Sequence, residues 1–106
     1  MNRTVLLLPL LLCAACTISE NHFPDAYARA ICTRLAQCEA GQYQNTYDNR
    51  RDCVSSWSDA AQSVLDAGDL VGATYSPTKA AQCIDQIHAA SCGDFSNFDY
   101  TCQVFE

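Results

Sequence analysis

The sequence is short of basic residues, histidine and glycine, and each shortage closes a class of function. Six Lys and Arg stand against twelve Asp and Glu, a formal charge of −6. Such a surface repels phosphate backbones and anionic head groups, which argues against nucleic-acid binding. The two histidines, His22 and His88, leave little for general-base chemistry. The four glycines form no nucleophile elbow around Ser55, Ser56, Ser58 or Ser63. No Cys-x-x-Cys-His run for haem attachment is present. Strand-type alternation of apolar and polar residues is missing over any useful length. Large aliphatic residues are sparse and alanine fills many helical positions, so the expected core is thin.

What the chain has instead is cysteine, eight in 106 residues, in two groups. Cys13 and Cys16 end an apolar leader, and Cys32, Cys38, Cys53, Cys83, Cys92 and Cys102 are spread over the rest. The leader has one positive charge at Arg3, an apolar run to Leu12, then Ala14 and Ala15 before Cys16. These are the parts of an export signal. Its apolar run of roughly ten residues is half of the roughly 20 that a membrane-spanning helix needs, which argues against a permanent transmembrane anchor. Small residues before a cysteine resemble a bacterial lipoprotein processing site. That resemblance implies cleavage before Cys16 and lipid on Cys16. The alternative is plain secretion with Ala15 the last residue removed, which leaves an odd thiol in an oxidising compartment. Residues 1–15 are thus read as a lipoprotein-type signal peptide, 16–23 as a linker and 24–106 as a disulfide-rich helical domain. Loss of the leader removes Arg3 and no acid, moving the charge to −7.

The expected fold is all-α: a small domain of three to four helices stapled by three disulfides. Pro24 and Asp25 suit the start of a first helix, about 24 to 39, with Tyr27, Ile31, Leu35 and Cys38 on one stripe. Residues 40 to 47 read as a polar loop. A second helix, capped by Thr46 or Asp48, carries Cys53, Val54, Trp57, Ala60, Ala61, Val64 and Leu65 on its apolar face and ends at Gly68. Leu70, Val71 and Tyr75 around Gly72 read as a packed strap. The third helix has the clearest start, Ser76 as N-cap and Pro77 in the first position. Ala80, Cys83, Ile84, Ile87 and Ala90 form its stripe, with Gly93 closing it after Cys92. The aromatic tail is expected to be pinned through Cys102.

Six cysteines allow fifteen pairings. Helix positions favour Cys38–Cys53, Cys92–Cys102 and Cys32–Cys83. The competing arrangement is interlaced: Cys32–Cys53, Cys38–Cys92 and Cys83–Cys102.

Three features together resemble a group of small cysteine-rich secreted lipoproteins common in myxobacteria and related bacteria. They are the pair Cys32 and Cys38 around Thr33 to Gln37, the run from Ala67-Gly68-Asp69-Leu70 through Tyr75 to Gln82-Cys83-Ile84 with Cys92 following, and the terminal Cys102-Gln103-Val104-Phe105. The resemblance implies an exported disulfide-bonded helical domain and brings no activity with it. Saposin-like proteins, insect odorant-binding proteins and the twin Cys-x9-Cys hairpins of mitochondria fit the cysteine gaps less well.

Candidate chemistry is thin. His88 and Cys92 lie four apart on a helix, but a zinc site needs further soft ligands. Asp48, Asp52, Asp59, Asp66 and Asp69 do not follow the spacing of a calcium loop and read as a solvated face. Arg50 and Arg51 beside Asp52 read as surface charge with a local ion pair. No cofactor and no metal is expected. Aromatics in connections are enriched at interfaces, so Tyr43, Tyr47, Phe98, Tyr100 and Phe105 are the expected partner contacts. The expectation is a non-enzymatic, envelope-bound binding or structural module, an accessory subunit anchored through Cys16. The runner-up is a carrier holding a small apolar molecule between its helices.

Overall fold

The computed structural model describes residues 16–97 and 102–106. Residues 1–15, expected to be a signal peptide and including Cys13, and the candidate contacts Phe98 and Tyr100 lie outside the described residues. The fold is all-α, with five helices and no strand among the described residues. They are α1 (Phe23–Cys38), α2 (Ala40–Thr46), α3 (Arg50–Leu70), α4 (Pro77–Ala89) and α5 (Cys92–Ser96).

Helix α1 is the hub. It buries Phe23, Tyr27, Ala30, Ile31, Cys32 and Leu35, too wide a set for a single partner. The principal helix–helix contacts are those of α1 with α3, α4, α2 and α5. Pro24 opens it, and Asp25 in its first turn accepts from Arg29 at 2.8 Å, an exposed pair of little weight. Glu39 then leaves helical geometry for one residue, with φ −138° and ψ 52°. The chain resumes as α2 where a loop was expected. One non-helical residue suffices because Glu39 N–H still donates to the Leu35 carbonyl and Tyr43 N–H to that of Glu39.

Helix α3 starts one residue beyond the expected caps. Asn49 is its N-cap and accepts from Asp52 N–H at 2.8 Å, while the Asp52 carboxylate accepts from Asp48 N–H. Its end also differs. Gly68 lies inside the helix, and Gly72, with φ +74°, is the left-handed residue that ends it. Ala73 N–H donates to the Gly68 carbonyl and Gly72 N–H to that of Asp69, the two bonds of a Schellman motif. The buried stripe is Cys53, Ala61, Leu65 and Gly68, with Trp57 half-buried. Ala60 and Val64, expected inside, face solvent. Leu70 and Val71 form no packed strap, being 88% and 81% exposed.

Helix α4 begins as read from the sequence. Ser76 accepts from Lys79 N–H and Pro77 occupies the first turn. It stops at Ala89, short of Cys92, because Ala90 is extended and Ser91 caps the separate helix α5 through Asp94 N–H. The tail returns beside the strand-like segment before α4. Ser76 N–H donates to the Val104 carbonyl and Glu106 N–H to Thr74, with Tyr75 and Phe105 paired between them.

The cysteines pair as Cys32–Cys53, Cys38–Cys92 and Cys83–Cys102, with Cα separations of 6.1, 5.1 and 5.6 Å. The favoured set, Cys38–Cys53, Cys92–Cys102 and Cys32–Cys83, is therefore corrected to the interlaced one. The reason is where α3 meets α1. Helix α2 fills the link between Cys38 and Cys53, so α3 reaches α1 at Cys32. Cys38, about 120° away around α1 at about 100° per residue, is left for α5. Cys83 then turns from α1 to the returning tail.

Gly68 has a specific reason to be glycine, since a Cβ there would overlap the ring of Phe105. Gly68→Ala should thus destabilise the domain by about 1–3 kcal/mol, as overpacking does. In a Phe105→Ala background the obstacle is gone, and the same change should stabilise by up to about 1 kcal/mol through helix propensity. A double-mutant cycle of urea midpoints checks the reversal of sign.

Candidate functional site

Two of the expected contact aromatics come together. Tyr43 is the middle residue of α2, and Tyr47 follows its end one turn later. Their rings lie 5.8 Å apart, as an i, i+4 helical pair allows. Both are half-buried. Tyr47 Oη accepts from the indole N–H of Trp57 at 2.9 Å, which fixes the α2 exit against α3. Leu35, Glu39, Gln42, Thr46, Tyr43, Tyr47 and Trp57 line a notch of about 100 Å³. Ligand pockets for small molecules run to about 300 Å³ and more. A notch of that size suits instead one side chain of a protein partner.

The notch is one end of a continuous run of rings. Trp57 meets Tyr27 edge-on at 6.3 Å, Tyr27 meets Phe23 at 5.6 Å, and Phe23 meets Tyr75 at 6.2 Å. The run finishes at the linker, where the Tyr75 hydroxyl donates to the Ile18 carbonyl at 2.6 Å. Ile18 N–H donates to the Pro77 carbonyl, so the linker is docked from Ile18 onward. Cys16, two residues earlier, is exposed.

Burial, and secondarily the charge of Glu20, pushes the Tyr75 phenol from 10.0 up to about 12. The neutral phenol is the form that folding favours. Its contribution is therefore fully present below pH 10 and declines as pH rises through about 12. A spectrophotometric titration should show a tyrosine phase near pH 12 that Tyr75→Phe deletes. A uniform transition near 10 would contradict it.

Phe105 does not join the notch. It packs on Gly68 at the other end of α1, sealing the core beneath the tail. Trp57, Leu35 and Glu39 were not among the expected contacts. Trp57 stood in the sequence as a core residue of the second helix, and only the α2 turn reveals it as a wall of the notch. No family model, curated protein or solved structure matches this chain.

The remaining candidates for chemistry are dispersed. Cys92 is bridged to Cys38, so the His88–Cys92 spacing is not that of two ligands. His88 is exposed in the last turn of α4. The acidic residues Asp48, Asp52, Asp59, Asp66 and Asp69 are exposed. Among the described residues no three His, Cys, Asp or Glu side chains gather closely enough to hold a metal. Ser63 donates to the Asp59 carbonyl of its own helix. Arg50 pairs with no local carboxylate and instead reaches α1, donating to Thr33 Oγ1 at 3.0 Å.

Arg34 is half-buried. Its guanidinium donates to the Ala90 carbonyl at the end of α4 and to Gln37, and lies 5.9 Å above the ring of Phe95. It thereby joins α1, α4 and α5 at one point. Other hollows are of two kinds. One of about 200 Å³ lies between Gln86, Ile87, Ala90, Asp94 and Phe95. Two larger ones, about 320 and 430 Å³, are surface depressions walled mainly by exposed Lys79, Gln82, Gln86 and Gln103, and by Glu20, Asn21 and Gln62.

Three disulfides belong to an oxidising environment such as the extracytoplasmic space. Among the described residues no helix is long and apolar enough to cross a membrane.

Proposed function

We propose that this chain is a non-catalytic extracytoplasmic lipoprotein, anchored through lipid on Cys16, that binds a protein partner through the α2 notch. The observation that carries the reading is the Tyr43–Tyr47–Trp57 wall, three aromatic rings held at a half-buried edge around room for one side chain. Tyrosine and tryptophan are over-represented at the energetic centres of interfaces because they combine apolar area with a polar tip. The small volume of the notch favours this reading over that of an apolar-ligand carrier, and the larger hollows have the wrong lining for one. The anchor reading is supported by the composition of the leader, by the exposure of Cys16 and by an even number of bridged cysteines beyond it.

A photo-cross-linking amino acid placed at Tyr43, in cells that make the full chain, tests the interface. The expected result is one discrete adduct from position 43 and none from Asp85, exposed on α4. Adducts of equal yield from both positions would refute the assignment.

A further inference from the structure

We propose that the exposed tip where α3 turns toward α4, Leu70 and Val71, seats in the lipid interface of the membrane that holds Cys16. The proposal rests on the lipid-anchored reading above. Helices α1 and α3 run antiparallel, as the Cys32–Cys53 bridge and the Tyr27–Trp57 contact fix their register. Continuing that register sets Phe23 opposite about residue 61. The remaining nine residues of α3, at 1.5 Å each, project about 13 Å beyond the start of α1.

The linker follows that projection. Glu20 and Asn21 lie beside Gln62 and Leu65. Ile18 is bonded to Tyr75 and Pro77, the residues through which the chain returns from the tip. The chain therefore leaves the domain toward Cys16 at the end that carries Leu70 and Val71. The α2 notch lies at the other end of α1, a 16-residue helix of about 24 Å.

The chemistry of the tip selects its occupant. Leu70 and Val71 are 88% and 81% exposed, and Val64 is 42% exposed one to two turns back. Three aliphatic side chains fall far short of the roughly 1,200 Å² total that a stable dimer buries. A tethered bilayer needs no such area, because the anchor already supplies proximity and the tip adds a second weak contact. Asp66 and Asp69 near the end of α3, Glu20 beside Gln62 and Leu65, and Glu106 bonded to Thr74 sit at this end and disfavour anionic head groups, so a zwitterionic surface is the better match. A single flexible tether leaves a domain free to tumble. Two points of contact hold it upright, with the notch directed away from the membrane.

The full chain, expressed with its own leader in a bacterial host and purified in detergent, tests this in two steps. Intact mass reports whether Cys16 carries acyl chains. The protein is then placed in phosphatidylcholine nanodiscs with a spin-labelled lipid, and methyl signals are read by NMR. The expected result is an acylated chain in which the Leu70 and Val71 methyls are lost to broadening while those of Val54, at the far end of α3, persist. Leu70→Ser with Val71→Ser should remove the broadening from the Gly72 amide without unfolding, both side chains being exposed. An acylated chain with equal broadening at Val54 and Val71, or none at either, overturns the tip and leaves the anchor standing. A mass without acyl chains overturns the anchor and the tip together. A concentration-dependent dimer that shields the tip from lipid assigns it to a second copy and also overturns the proposal.

Discussion

Replacing Cys32 and Cys53 together by serine is expected to unfold the domain at about 37 °C. The pair closes a loop of 21 residues, for which chain entropy gives about 3 kcal/mol. Both sulfurs belong to residues with no exposed surface. The two serine hydroxyls would be buried where sulfur was, at about 1–3 kcal/mol each if unpaired. The sum, about 5–9 kcal/mol, matches the whole net stability of an ordinary domain. Loop length alone would rank the pairs otherwise, since Cys38–Cys92 closes 54 residues and about 4 kcal/mol. Burial reverses that order, because Cys92 is exposed and Cys38 half-buried, so serines there remain hydrated. Circular dichroism at 222 nm on both double variants checks the ranking. A folded Cys32/Cys53 variant beside an unfolded Cys38/Cys92 variant would contradict it.

Phe95→Ala is expected to cost about 3–5 kcal/mol, the usual range for emptying a phenylalanine site in a core. Phe95 is fully buried and is the one buried residue of α5, so this side chain is what docks that helix. Removal opens a void beneath the Arg34 guanidinium, whose Nε is already buried without a hydrogen-bond partner. The Cys38–Cys92 bridge holds the start of α5 in place, so the void cannot close by letting the helix drift away. At about 4–8 °C per kcal/mol for a domain of this size, Tm should fall by at least about 12 °C. Phe95→Leu, which keeps most of the volume, should recover most of that loss.

Local chemistry was the part of this fold that could be read ahead. Ser76-Pro77 announces a helix start because a hydroxyl cap and a proline without N–H each satisfy a stated geometric need. The four-residue spacing of Tyr27, Ile31 and Leu35 likewise reports a buried face that is there. Gly68 misleads because two different demands call for glycine, a left-handed turn and a close approach. Here Gly68 meets the second, against Phe105, while Gly72 meets the first. Leu70 and Val71 read as a packed strap because they are apolar. Their place beyond the start of α1, where nothing remains to cover them, is a fact of register between helices and not of either residue.

The disulfides show the same boundary. Closeness in sequence favoured Cys38 with Cys53, but the choice depends on angular phase around α1 and on α2 taking up the link, a helix that Gly41 and its polar neighbours disguised as a loop. Of the candidate site, Tyr43 and Tyr47 were legible as aromatics in a connection. Their partner Trp57 was not, since its indole N–H finds Tyr47 only after α2 has formed.

The most direct test is a disulfide map of the native protein, by proteolysis without reduction and mass spectrometry of the linked peptides. The expected links are Cys32–Cys53, Cys38–Cys92 and Cys83–Cys102, with no reduced thiol among those six. A Cys38–Cys53 peptide, or any of the six found reduced, would contradict the account of how this thin-cored bundle is held.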